Sequence, residues 1–271
     1  RSSAASDVYK RQMLESPGTF GADVVVGTTQ RFGIPMGYGG PHAAFFATRD
    51  KYKRNIPGRI IGKTKDLNEN PALRMALQTR EQHIKRDRAT SNICTAQVLL
   101  AVMAGMYVVY HGPKGLYNIS NSIHQKAADL NLKLSELGFK QINKHFFDTL
   151  QIKTNVVNIK KKAELNKVNF YYPDGNTICI SLNEAVTDKD IDKIVSIFKS
   201  SSNSIKKISE SKTEESYIPK SLIKSGEILT HKIFNSYHSE TALMRYIKYL
   251  ERKDLALNHS MISLGSCTMK L

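Results

Sequence analysis

The stretch that decides the fold is RFGIPMGYGGPHAAFF (Arg31–Phe46), which comes shortly after the apolar segment DVVVG (Asp23–Gly27). A buried strand that ends in a glycine-rich turn is typical of α/β proteins, where small molecules bind at the carboxyl ends of strands. Glycines in the turn permit positive φ and a close approach of the backbone to a ligand or another chain. Pro35 and Pro41 fix φ at two points, so we expect a shaped loop. A tight Gly/Pro-rich turn that binds nothing is the alternative.

The segments after this loop predict a second strand and two helices. Ala43–Thr48 is a short apolar run, as in buried strands. Asn92–His111 is apolar on nearly all sides, which predicts a buried helix. Gly112-Pro113 breaks that helix, and the next helix carries a single apolar stripe that ends at Gly138.

The pattern changes after Phe139 to that of a small α+β unit. Leu150 and Ile152 alternate with polar residues, as in a half-buried strand. The runs NFYY (Asn169–Tyr172) and TICISL (Thr177–Leu182) flank a Pro-Asp-Gly-Asn turn, which predicts a β-hairpin. A helix follows with Thr187 as its N-cap, and the polar stretch Ser200–Ser216 is expected to be a linker. From Pro219 onward the pattern is mostly helical.

The chain is strongly basic, with a formal net charge of +16 from 40 Lys and Arg against 24 Asp and Glu. The lysines are scattered and form no dense stripe with interleaved aromatics, so we expect no nucleic-acid binding. The apolar helix falls short of the roughly 20 residues that span a bilayer, so we expect no membrane binding either. We interpret the charge mainly as that of a generally lysine-rich proteome, with some positive surface that faces an acidic partner. Solvated lysines without a partner are the alternative.

The cysteines indicate the redox compartment of the protein, and the first residues raise the question of their origin. Cys94, Cys179 and Cys267 have no CxxC spacing, and no secretory signal precedes them. Reduced thiols in a cytosol-like compartment, without a metal site, are therefore expected. The first twelve residues, RSSAASDVYKRQ, show no apolar periodicity, and we interpret 1–12 as non-native and base no fold prediction on them.

Three blocks of sequence carry a family resemblance. They are TTQRFGIPMGYGGPHAAFFATRDKYKRNIPGRIIG (Thr28–Gly62), ALRMALQTREQHIKRDRATSNICTAQVLLA (Ala72–Ala101) and the block Glu227–Leu271, which ends in GSCTMKL. In this order they resemble the P-protein, or glycine decarboxylase, family of the glycine cleavage system. The resemblance covers most of the chain from about Leu14 and is looser over Lys140–Tyr217.

This resemblance implies a fold and an organisation. The fold would be α/β, that of a fold-type I pyridoxal-phosphate enzyme of the aminotransferase-like kind. Residues 13–138 would form the C-terminal part of the large domain of a first half, and 139–199 the small α+β domain. Residues 200–216 would be the linker and 217–271 the helical start of a second half. The chain would be an internal fragment of a longer protein.

The resemblance also implies an activity, in which glycine is decarboxylated with pyridoxal 5'-phosphate and its aminomethyl group passes to the lipoyl arm of the acidic H-protein. The cofactor takes up the electrons left by carbon dioxide. The complete protein would be an oxidoreductase of glycine catabolism, a homodimer or heterotetramer. It would be cytoplasmic in a bacterium and mitochondrial in a eukaryote. The fragment would be inactive alone.

The family's two halves predict what the glycine-rich loop does. Only the second half carries the Schiff-base lysine, in a block that reads roughly His-Lys-Thr-Phe and lies beyond Leu271. In this chain Gln30 falls at the lysine position, and an amide cannot form an imine. We therefore expect a pseudo-site that completes the true pocket from the side, with an ordinary turn residue as the alternative for Gln30.

Other residues are weaker candidates. Tyr38, His42, Arg80 and His83 could line the substrate tunnel or the contact between the halves. A packed tyrosine and a hydrogen-bonded loop histidine are the alternatives for Tyr38 and His42. The alternative for Arg80 and its neighbours is a solvated charged face, with Glu81 and Lys85 at ion-pair spacing. Hydroxyls and backbone amides suit a phosphate or carboxylate, so the cofactor's vicinity is expected at Ser266, Cys267 and Thr268.

Two further functions stay open. The chain could be a non-catalytic first-half subunit that completes the site of a separate catalytic chain, although Glu227–Leu271 favours a fragment of a continuous protein. A basic binding module is supported only by the charge.

Overall fold

The computed structural model describes residues 3–92, 97–201, 217–253, 256, 258 and 259. The chain divides into two compact units, residues 1–8 with 16–107 and residues 9–15 with 108–271. Unit 1 holds a three-stranded sheet and a β-hairpin, whereas unit 2 holds a four-stranded sheet and a hydrophobic core.

The first sheet of unit 1 confirms the two strands predicted around the glycine-rich loop. β1 (Ser3–Asp7) is parallel to β2 (Val24–Thr28), which pairs antiparallel with β3 (Ala44–Thr48). The prediction that both strands are buried is wrong, because Val26 is 41% and Phe46 is 48% exposed. A sheet is buried on both faces only where other elements cover both, and the described residues of unit 1 leave these side chains uncovered.

The first residues, on which no fold prediction was based, take part in the fold. β1 lies within residues 1–12, and Tyr9 is fully buried with its carbonyl accepting a 2.7 Å hydrogen bond from the Ser120 hydroxyl. α1 (Lys10–Met13) follows. Strand pairing uses backbone groups that nearly every residue type offers. Pairing therefore carries no information on origin, and a non-native origin stays a prediction.

A hairpin that was not predicted follows the first sheet. β4 (Ile60–Lys65) and β5 (Pro71–Ala76) pair antiparallel. In the turn, the Asp66 carboxylate accepts hydrogen bonds from the backbone N–H groups of Asn68 and Asn70 at 2.8 and 2.9 Å. The bond from Asn70 is the main cause that lowers the pKa of Asp66. The Asp/Asn-rich sequence of this turn is the local signal from which the hairpin could have been predicted.

The long helix α3 (Val98–Glu136) is broken at Gly112, as predicted, with φ 60° and ψ −176°. Before the break the helix is not buried as expected, since Val98 and Leu99 are 64% and 68% exposed. Farther along this part of the helix, Ala104 and Val109 are buried at 8% and 3% exposure, so the exposed apolar side chains are those of its first turns.

After the break, the predicted apolar stripe is confirmed. Its members Leu116, Ile123, Leu130 and Leu134 are at most 1% exposed. The helix ends before Gly138, which adopts the left-handed φ of 85° that glycine tolerates.

Unit 2 contains a four-stranded antiparallel sheet, of which three strands were predicted from the sequence. The strands β6 (Lys140–Gln141), β7 (Thr149–Lys153), β8 (Tyr171–Asp174) and β9 (Thr177–Ser181) lie in the order β6-β7-β9-β8. The predicted hairpin is confirmed as β8–β9, with its turn at Gly175-Asn176.

Two helices complete the small α+β segment. α4 (Val156–Leu165) was missed, although Asn155 caps it by accepting a hydrogen bond from the Val157 N–H. α5 (Asp188–Lys199) begins, as predicted, at Thr187, whose side chain forms a capping box with Asp190.

The core of unit 2 joins the second half of α3 to this α+β segment. The fully buried side chains come from the helix, the sheet and both smaller helices: Leu130, Leu134, Leu150, Ile152, Ile159, Ile178, Ile191, Ile197 and Phe198. The helix that the sequence places in the large domain therefore shares a core with the small one. The boundary at 138/139 stays a prediction.

The C-terminal part confirms a mostly helical segment. Two short 3₁₀ turns, Lys220–Leu222 and Lys232–Asn235, precede α6 (Glu240–Glu251). Tyr246 of α6 is buried against Tyr237, with ring centroids 4.2 Å apart. The predicted linker, apart from its first two residues, lies outside the described residues. Among the helices described, none has the length and apolar character to cross a bilayer.

Candidate functional site

The glycine-rich loop between β2 and β3 is closed by the side chain of Gln30. Its Oε1 accepts a hydrogen bond from the Ala43 N–H at 2.9 Å, and its Nε2 donates to the Pro35 carbonyl at 2.9 Å and to the Ile34 carbonyl at 3.4 Å. The amide thus satisfies backbone groups on both arms of the loop, which a lysine in its place could not do with the same geometry, since an amine has no acceptor while protonated. Gln30 is therefore the clamp of the loop.

A second set of hydrogen bonds fixes the base of the loop. The Thr28 hydroxyl accepts from the Gln30 N–H at 3.0 Å and donates to the Ala43 carbonyl at 3.2 Å. His42 Nε2 lies 2.7 Å from the same hydroxyl. The imidazole of His42 is thus held at the loop base by Thr28.

The tip of the loop projects into solvent. Met36 is 82% exposed and Tyr38 is fully exposed, with Tyr38 at the left-handed φ of 54°. Gly37 and Gly39 also have positive φ, and the Gly40 N–H donates to the Met36 and Gly37 carbonyls. The loop therefore presents an aromatic and a thioether side chain on a defined backbone.

The loop base is anchored on the N-terminal turns of α3. The Phe32 ring stacks on Tyr107, with centroids 5.6 Å apart and an interplanar angle of 19°. Gly33 has a φ of 73°, and a Cβ there would lie 2.8 Å from Tyr107 Cδ2. Glycine is required at this position both by φ and by the close approach of the ring.

A buried arginine organises the segment after β5. The short turns here are the 3₁₀ turn Gln78–Arg80, α2 (Gln82–Lys85) and the 3₁₀ turn Arg86–Arg88. Arg80 is 4% exposed, and its guanidinium donates to the carbonyls of Ile56 and Gly58 at 2.6 and 2.8 Å. Arg80 thereby holds the loop before β4.

The alternative of a solvated charged face is wrong for Arg80 and Glu81. Glu81 is 4% exposed, and its Oε2 lies 3.6 Å from Arg59 Nε, so its ion-pair partner is not Lys85 as the spacing indicated. Glu81 is the N-cap of α2 and has an extended backbone. Its side chain therefore does not lie on the same helix face as that of Lys85, as an i, i+4 ion pair requires. His83 is exposed, as expected for a surface residue.

A small ionic cluster lies at the start of β2. Asp23 Oδ1 is 3.5 Å from both Arg49 Nε and Lys51 Nζ. The hydrogen bond to Tyr52 raises the pKa of Lys51, and the charge of Asp23 adds to this effect. Arg49 and Lys51 thus share one carboxylate, which offsets part of the positive charge of the segment that follows β3.

Replacing Arg80 with alanine is expected to loosen residues 54–60 and to lower the free energy of unfolding by about 2–4 kcal/mol. Two charge-assisted hydrogen bonds are lost, and the carbonyls of Ile56 and Gly58 keep no replacement donor. Hydrogen–deuterium exchange over residues 54–60 and thermal unfolding measure the effect. Arg74→Ala on β5, an exposed site, is the matched control. Equal exchange in the two variants would contradict the clamp.

The structure brings together some of the predicted site residues and not others. Gln30, Tyr38 and His42 share one loop, whereas Arg80 and His83 belong to the segment after β5. Ser266, Cys267 and Thr268 lie outside the described residues, so their predicted place near the cofactor stays untested. Within the described ranges, no group of three or more His, Cys, Asp or Glu side chains could hold a metal.

Two comparisons of sequence show which proteins this chain is similar to. The family model described as "Glycine cleavage system P-protein" matches residues 2–198. A glycine dehydrogenase (decarboxylating) from Christiangramia forsetii is 62% identical over 98% of this chain, and one from Flavobacterium johnsoniae is 60% identical over the same share. The chain spans about 28% of the length of these curated relatives.

A solved structure is also similar. The crystal structure of a glycine decarboxylase (P-protein) of the glycine cleavage system, in inhibitor-bound form, matches with a TM-score of 0.67 and 30% identity. The match covers 73% of this chain and 47% of that chain. It confirms the predicted fold class, the α/β fold of fold-type I enzymes.

Proposed function

Because the chain belongs to the glycine cleavage system P-protein family, we propose that it is part of a glycine dehydrogenase (decarboxylating). The complete protein decarboxylates glycine with pyridoxal 5'-phosphate and passes the aminomethyl group to the lipoyl arm of the H-protein. The observation that carries this proposal is the 62% identity to a relative of that name over 98% of the chain. The similar P-protein structure supports it.

The described residues of this chain do not fit a covalent cofactor site. The residue at the predicted lysine position is Gln30, and both ends of its amide are engaged with the loop backbone. An amide forms no imine, and a turn of this amide toward a ligand would break its hydrogen bonds to the loop. We derive no reaction step within this chain, and the covalent attachment belongs to the second half of the protein.

The role we propose for this chain is to support the true pocket. The Gln30 clamp, the Thr28–His42 contact and the Phe32–Tyr107 stack hold the loop in one shape. A loop held in this way presents Met36 and Tyr38 to the second half with little loss of conformational entropy on contact. We place the complete protein in the cytoplasm as a homodimer or heterotetramer.

The test compares the full-length protein with the 271-residue chain. We expect the full-length protein to catalyse glycine–carbon dioxide exchange and the chain alone to show none. After incubation with pyridoxal phosphate and reduction by borohydride, peptide mapping should find one labelled lysine in the full-length protein, beyond Leu271. The chain alone should show sparse labelling spread over surface lysines.

Two results would overturn parts of this proposal. Specific stoichiometric labelling of one lysine within the chain would show that it holds the cofactor itself. A gene that ends shortly after Leu271, with a separate gene for the lysine-bearing half, would favour the non-catalytic subunit instead.

A further inference from the structure

Four exposed basic residues lie on two segments of unit 1 that a hydrogen bond joins. The Thr90 hydroxyl donates to the Arg54 carbonyl at 3.2 Å, which joins the segment around α2 to the loop before β4. Lys85, Arg86 and Arg88 precede Thr90 by two to five residues, and all three are exposed, as is Arg54. We call Arg54, Lys85, Arg86 and Arg88 the arginine patch.

The charges of the arginine patch are not neutralised within the described residues. The neighbouring cations have acidic partners: Arg49 and Lys51 share Asp23, Lys53 pairs with Asp50, and Arg59 pairs with Glu81. None of the four patch residues forms an ion pair in the described part of the chain, and Asp87 is the one acid that stands among them in sequence. Four cations against one carboxylate leave a local positive field that attracts anions.

Hydrogen bonds of Arg80 order the backbone of the segments that carry the arginine patch. Arg80 holds the Ile56 and Gly58 carbonyls, and the backbone of Ser91 donates to the Arg80 carbonyl at 3.1 Å. Arg86 adopts φ 52°, a left-handed conformation rare for arginine, between two short helical turns. A surface whose backbone is already ordered loses little entropy when a partner binds.

We propose that the arginine patch docks an acidic protein surface. Arginine favours carboxylate partners through its planar fork of donors, and the patch holds three arginines on two neighbouring segments. Nucleic acid is the less favoured occupant, because no aromatic side chain interleaves with the patch residues in sequence. The identity of the partner as the lipoyl-carrying H-protein rests on the proposed function, whereas the patch itself rests on the charges and contacts of its own residues.

The test uses the full-length protein and two probes, the cognate H-protein and a poly-L-glutamate of about 20 residues, long enough to span an exposed patch of this kind. The patch variant is Arg54→Gln/Arg86→Gln/Arg88→Gln. The matched control, Lys153→Gln/Lys161→Gln/Lys189→Gln, removes the same charge from exposed sites of unit 2. The charge-retaining variant Arg54→Lys/Arg86→Lys/Arg88→Lys separates charge from fold. Circular dichroism checks that all variants are folded.

At about 25 mM salt we expect the patch variant to bind both probes on the order of tenfold more weakly, from three lost exposed pairs. The control should change by less than about twofold and the lysine variant by less than about threefold. The difference should shrink at about 300 mM salt, because exposed charges are then screened. In the exchange reaction, KM for the H-protein should rise while kcat stays unchanged.

Equal affinities of the patch and control variants for both probes would overturn the inference. Tighter binding of a short DNA duplex than of either acidic probe, lost in the patch variant, would overturn it in favour of nucleic acid. A full-length protein without any exchange activity would instead refute the proposed function. The poly-L-glutamate measurement would still show whether the arginine patch binds an acidic surface.

Discussion

Replacing Gly112 with alanine is expected to lower the free energy of unfolding by about 3–5 kcal/mol, the sum of backbone strain and steric overlap. Gly112 has φ 60° and ψ −176°, a region that is nearly restricted to glycine. An added Cβ would lie 2.6 Å from the Phe234 carbonyl oxygen and 2.6 Å from His238 Cε1. The imidazole is itself held, since His238 Nδ1 lies 2.8 Å from the Tyr110 carbonyl.

The matched control for this change is Gly105→Ala in the same helix. A Cβ at Gly105 meets nothing within 4 Å, and alanine in a helix interior is favoured over glycine by roughly 0.5–1 kcal/mol. Thermal unfolding followed by circular dichroism should thus move the two variants in opposite directions, with a loss of about 10 °C for Gly112→Ala. If Gly112→Ala were as stable as Gly105→Ala, the result would contradict the close contact of Phe234 and His238 with the helix break.

Replacing Gln30 with lysine is expected to abolish most activity of the full-length protein without creating a second cofactor site. The lysine loses the acceptor that binds the Ala43 N–H and puts a charge in a half-buried loop, so the loop opens. We expect glycine–carbon dioxide exchange to fall at least about tenfold, in line with the loss of a preorganised contact. Peptide mapping after borohydride reduction should find no pyridoxyl label at position 30.

Gln30→Met is the control that removes the hydrogen bonds while keeping the length and adding no charge. If the clamp matters, Gln30→Met is also impaired, whereas damage confined to Gln30→Lys would assign the effect to charge. Unchanged exchange in Gln30→Lys would place Gln30 away from the pocket. A second reduced cofactor per chain would show that the first half is a dormant site and not a supporting one.

Local signals predicted much of the secondary structure. The apolar stripe after Gly112 and the hairpin turn at Gly175-Asn176 are confirmed, as is the N-cap at Thr187. These features depend on residues close together in the chain, and their chemistry is therefore visible in sequence. The helix α4 and the hairpin β4–β5 had similar signals in Asn155 and in the turn Asp66–Asn70, yet neither element was predicted.

Burial was predicted less well than secondary structure. An apolar segment is buried only if another element covers it, and that element is not encoded in the segment itself. Val98 and Leu99 of α3 and the strand residues Val26 and Phe46 show this, because all four are apolar and exposed. Arg80 shows the reverse: a charged residue in a charged run is buried because carbonyls of the loop at Ile56 and Gly58 surround its guanidinium.

The sequence by itself determined the family, the helix break and the absence of an amine at position 30, because each depends only on residue identity and order. The tertiary structure alone decided that the Gln30 amide closes its loop, that Arg80 is a buried clamp and that Arg54 lies beside the segment around Arg88. These contacts join residues 5 to 36 positions apart through backbone carbonyls and N–H groups. Backbone groups are the same at every position, so no residue pattern marks which of them a side chain will bind.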